Sequence, residues 1–61
     1  MKNKFFVKMF QIPLGGKFVF NDVVFTRGKW CPEKMSYFCQ ADEKGFSVYL
    51  HRSTNVELLT E

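Results

Sequence analysis

The sequence predicts an all-β domain, and three observations carry that prediction. Phe18-Val19-Phe20 and Val23-Val24-Phe25 are β-branched or aromatic runs separated only by Asn21-Asp22, both of which tolerate the positive φ that a two-residue hairpin turn needs. Residues 46–50 alternate cleanly, with Phe46, Val48 and Leu50 on one side and Ser47 and Tyr49 on the other. No stretch carries a helical period long enough to cover a sheet.

Along the chain, residues 1–11 fit two templates. As a helix, Phe6, Met9 and Phe10 share a face; as a strand, Phe5, Val7 and Met9 alternate with Phe6, Lys8 and Phe10. Pro13 biases Ile12 toward extended geometry, which favours an extended N-terminal arm. Gly15-Gly16 supply a turn into a strand over residues 17–21. With Asn21-Asp22 as the turn, Phe20 pairs with Val23, Val19 with Val24 and Phe18 with Phe25. Phe18, Phe20, Val23 and Phe25 then form a core face, and Val19 and Val24 an apolar pair on the other face. That pair calls either for cover by the Phe-rich N-terminal segment or for a partner. Residues 27–34 contain Gly28, Pro32 and four charges and break both periodicities, so they read as an exposed loop. Strand character returns at residues 36–41, Asp42-Glu43-Lys44-Gly45 is a turn, residues 46–50 form a strand, residues 51–55 suit a single helical turn or a tight connection, and residues 56–59 form the last strand. The expected core is Phe18, Phe20, Val23, Phe25, Phe46, Val48, Leu50, Val56 and Leu58.

Five short strands in meander bury one face best by curling into a small barrel. The brief connection before the last strand suits a five-stranded SH3-like barrel spanning residues 1–61 as one domain. An OB-like barrel is the runner-up, and the Asp42–Gly45 turn leaves no room for the helix it places between its third and fourth strands.

A chain of 61 residues buries only about 60% of its unfolded surface, which makes its stability marginal. Eight Phe, two Tyr and one Trp supply the core mass instead of a disulfide framework. No signal peptide is visible, because Lys8 interrupts the apolar run that follows Lys4, and no run approaches the ~20 apolar residues of a membrane span. The expected compartment is the reducing cytoplasm, with Cys31 and Cys39 as free, replaceable thiols.

The net charge of +3 is unevenly spread: residues 1–34 hold seven Lys/Arg against Asp22 and Glu33, and residues 35–61 hold two against four acids. A basic front half fits an acidic partner or a solvated face equally well. Cys31, Cys39 and His51 are soft ligands, but their spacing lacks a tight knuckle and a fourth ligand, so neither zinc nor any other cofactor is expected. No oxyanion hole, carboxylate pair or P-loop accompanies them, and the chain is expected not to be an enzyme. The best candidate surface is Arg27, Lys29, Trp30, Lys34 and Tyr37. Such residues serve both as protein-interface hot spots and as stacking platforms for single-stranded nucleic acid.

The pattern Pro13-x-Gly15-x-x-Phe18-x-Phe20-Asn21-x-x-x-Phe25-Thr26, with the late Val48-Tyr49 strand and closing Asn55-Val56-Glu57-Leu58, resembles small phage-encoded accessory proteins over residues 10–60. Asp22 departs from the Gly usual in the turn, and residues 30–34 have no counterpart. The resemblance implies a small β-barrel without catalytic residues, acting in the cytoplasm of an infected bacterium on a host or viral protein. Nucleic acid and a second copy of the chain stand as further partner classes, and a membrane does not.

Overall fold

The computed structural model describes residues 4–59. Six antiparallel strands form one open sheet: β1 (Phe6–Lys8), β2 (Lys17–Phe20), β3 (Val23–Cys31), β4 (Ser36–Ala41), β5 (Ser47–His51) and β6 (Asn55–Leu58), in the order β1-β6-β2-β3-β4-β5. The only helical element among the described residues is a short 3-10 turn, Met9–Gln11. The all-β expectation holds; the strand count is six because the N-terminal arm joins the sheet beside β6, pairing Val7 with Val56. Of the arm, residues 1–3 lie outside the described residues.

The β2–β3 hairpin has the register its turn chemistry dictates. Asn21 and Asp22 take φ of 54° and 65°, the left-handed pair of a type I′ turn, and Phe18 faces Phe25 while Val19 faces Val24. The Phe18 and Phe25 rings stack at 5.8 Å. In β1 Val7 is half-buried between exposed Phe6 and Lys8, Phe5 before the strand is exposed as well, and Met9 is fully buried from the 3-10 turn that follows. The N-terminal segment is therefore an edge of the sheet, and Val19 and Val24 remain half-buried on the outer face.

The core consists of Met9, Ile12, Phe18, Phe25, Tyr37, Cys39, Ala41, Leu50 and Val56, with Val7, Phe20, Val23, Val48 and Leu58 packed around it. Phe46 is a correction. It lies on the core side as expected but is 44% exposed, because it follows Gly45, whose φ is 74°, and precedes β5 at the open end of the sheet. Its ring meets Phe25 edge-on at 5.8 Å, and its carbonyl accepts from Ala41 N–H.

A second correction concerns residues 27–34. They are not one loop: β3 runs on to Cys31, and only residues 32–35 turn, with Met35 at φ 51°. Arg27, Gly28 and Lys29 fall at a β-bulge, where the register shifts between Arg27 and Trp30, and Glu33 and Lys34 fall in the turn. A Cβ on Gly28 would meet the Phe38 carbonyl oxygen at 2.6 Å, so the close passage of β3 over β4 requires glycine there.

On the outer face Thr26 donates to Asp42 (2.6 Å) and accepts from Lys17 (2.9 Å), and Lys17 pairs with Asp42 at 2.7 Å. The hydrogen bonds from Lys17 and Thr26 hold the Asp42 carboxyl below the usual carboxylate range. Stability from a lowered carboxyl pKa is complete above the unfolded value of about 3.9 and disappears as pH falls through the folded value. Thermal melts should therefore show the native chain above Asp42→Asn at neutral pH and the two converging in acid.

Phe18 is fully buried, so Phe18→Ala should cost about 3–5 kcal/mol, close to the whole stability of such a small domain. Phe46→Ala should cost distinctly less. Denaturant melts of both variants check the difference in depth.

Candidate functional site

β3 and β4 place the candidate residues, and they do so on two faces. Arg27 stands opposite Cys39 and Trp30 opposite Tyr37, so alternation aims all four toward the core side at one end of the sheet. There the Arg27 guanidinium lies over the Tyr37 ring, 4.1 Å from its centroid, and the Trp30 ring meets the same tyrosine at 4.7 Å. Tyr37 is buried and supports the stack, while Trp30 is 37% exposed. Arg27 Nε is shut off from water with no hydrogen-bond partner among the described residues. An unsatisfied buried donor costs about 1–3 kcal/mol, and it makes Arg27 the least satisfied group of the cluster.

Lys29 is exposed beside the bulge. Lys34 belongs elsewhere: its ammonium sits 5.2 Å from the Tyr49 ring, which packs edge-on to Phe38 at 5.6 Å on the outer face. The sequence cluster thus separates into an Arg27–Tyr37–Trp30 stack and a Lys34–Tyr49–Phe38 group. Phe38 and Tyr49 escaped sequence reasoning as a site, although their strands were expected and their facing register follows from the Asp42–Gly45 turn.

A third cation, Arg52, lies over the Phe10 ring at 5.3 Å. The shallow depression between the two turn regions is lined by Asp22, Val23, Val24, Glu43 and Lys44 and contains no nucleophile. Among the described residues no three His, Cys, Asp or Glu side chains come together as a metal site, and no helix is long and apolar enough to cross a membrane.

The thiols differ in role. Both cysteines are unpaired, but Cys39 is fully buried and Cys31 half-buried. Burial pushes the Cys39 thiol up to about 11, against smaller opposing effects of the Gly28 backbone and the Arg27 charge. Its S–H reaches the Tyr37 carbonyl at 3.5 Å. Cys39 is therefore a core residue, and the expectation that both thiols are replaceable is corrected: serine at position 39 would bring a hydroxyl into an apolar core at a cost of about 1–3 kcal/mol. A thiol reagent should modify Cys31 in the native protein and Cys39 only after denaturation, which peptide mapping resolves.

Compared with protein-family models, curated proteins and solved structures, the chain matches none of them.

Proposed function

We propose that the chain is a non-enzymatic protein-interaction module that presents Trp30, Arg27 and Lys29 to an acidic protein surface. The observation that supports this reading most is the Arg27–Tyr37–Trp30 stack. It sets a part-exposed indole on a buried tyrosine, beside an arginine that is itself only half-buried. Trp and Arg are the residues most enriched at interface hot spots, and a guanidinium suits bidentate pairing with a carboxylate. The basic front half of the chain gives such a partner an electrostatic approach.

Binding of single-stranded nucleic acid is the second reading. Base stacking needs open ring faces along a basic groove. In this chain Tyr37, Tyr49 and Phe10 already carry Arg27, Lys34 and Arg52 over a face, and the depression between the turns is lined by two acids. Those features favour protein.

The resemblance to phage accessory proteins implies a host or viral partner in the bacterial cytoplasm. An SH3-like barrel is the finer fold consistent with this reading, supported by the tight connection between β5 and β6.

Affinity capture from a bacterial lysate, with and without nuclease, tests the proposal. A protein should be retained despite nuclease, and Trp30→Ala should weaken its binding by about 2 kcal/mol or more while moving the melting temperature by only a few degrees. Capture abolished by nuclease, together with binding to single strands that falls steeply with salt, would establish the second reading instead.

A further inference from the structure

The sheet has two edges, and the chain treats them differently. At one edge, β1 is three residues long. Leu58 N–H donates to the Phe5 carbonyl and Met9 N–H to the Thr54 carbonyl, so Phe5, Val7 and Met9 face β6, and Phe6 and Lys8 point their backbone groups outward. Lys8 brings a charge there, and its outward N–H is capped by the Gln11 side chain at 2.9 Å. Short length, lysine and a capped donor are how sheets blunt an edge.

At the other edge, β5 is five residues long. Ala41 N–H donates to the Phe46 carbonyl and Arg52 N–H to the Met35 carbonyl, fixing which residues bond to β4. Alternation between these two points turns Leu50 and Val48 toward β4, and Ser47, Tyr49 and His51 outward. Residues 46–50 contain no charge and no proline, and Tyr49 is 50% exposed.

We propose that β5 pairs antiparallel with β5 of a second copy of this chain, about a two-fold axis at Tyr49. The segment is self-complementary about that residue: Tyr49 meets Tyr49, Val48 meets Leu50 on the core side, and Ser47 meets His51 on the outer side. The outward backbone groups of Tyr49 fall into register as a hydrogen-bonded pair, and Ser47 with His51 as the next, where the second lone pair of the His51 carbonyl is used because the first already accepts from Thr54 N–H in its own chain. Residues 46–50 themselves carry no charge, and the cation next to the axis is Lys34, held over the face of the Tyr49 ring. Antiparallel pairing also brings Arg52 of each copy toward the Glu43 turn of the other.

Sedimentation equilibrium of the purified chain tests this, and should show a concentration-dependent dimer. Tyr49→Lys places like charges opposite each other and should raise the dissociation constant about tenfold or more. An equal mixture of Tyr49→Lys and Tyr49→Glu proteins should restore the dimer. Ser47→Pro, which deletes an outward N–H that no internal bond uses, should weaken it independently. Circular dichroism melts check that each variant folds. Trp30→Ala should leave the dimer unchanged, so this result stands apart from the partner-binding test. A monomer at every concentration, a dimer indifferent to both Tyr49→Lys and Ser47→Pro, or a mixture that fails to reassociate would overturn the proposal.

Discussion

The constraint on which the structure depends is the short connection from β5 to β6. Residues 52–54 join strands that the sheet order separates by β2, β3 and β4. At about 4.8 Å per strand a flat sheet would hold those two strands roughly 19 Å apart, and a connection tightened by a hydrogen bond from Thr54 N–H to the His51 carbonyl cannot span that distance. The sheet must therefore curl. Curling brings Leu50, Val56, Phe18 and Phe25 into one cluster. The same turn then anchors its surroundings: Arg52 N–H donates to Met35, the Arg52 carbonyl accepts from Phe10 and the Thr54 carbonyl from Met9. Those bonds seat the 3-10 turn so that Met9 closes the core.

Where local chemistry decides, the sequence was readable. Asn21-Asp22 has one good solution as a turn, and that solution fixes the register of Phe18, Val19 and Phe20 against their partners. Alternation likewise placed Val48 and Leu50. Where the outcome depends on distant strands, local reading failed. Met9 and Ile12 are buried by the curl of the sheet, which no feature of residues 1–12 announces. Phe46 has the right parity but no strand beyond it to close over its ring. Gly28 and its charged neighbours look like a loop because a bulge consumes the residue types that loops use; the signal for a bulge is Gly inside otherwise β-prone sequence, and Trp30 with Cys31 offered it.

The candidate site divides along the same line. Arg27 and Trp30 were expected on a loop, with Tyr37 on the strand after it, and all three are together on paired strands, which makes the stack more rigid than a loop could. Lys34 was grouped with them by proximity in sequence, and the turn at residues 32–35 sends it to the opposite face, over Tyr49. Tyr37 changes role most, because pairing with Leu50 on the core side buries the ring and leaves it as a support for Trp30.

A small β-domain has too little interior for eleven aromatic rings. Phe5, Phe6, Phe10, Trp30, Phe46 and Tyr49 all remain substantially exposed. Arg52 and Lys34 shade Phe10 and Tyr49, so part of the excess is made compatible with water by the chain's own cations. Trp30 is shaded less: the arginine of its cluster covers Tyr37 instead, and the indole is left at the sheet's end. Phe46 has no cation over it among the described residues and flanks the open β5 edge. The two surfaces proposed for contact thus coincide with rings that keep one side in water even after the chain's own packing, Trp30 at the sheet's end and Tyr49 on β5.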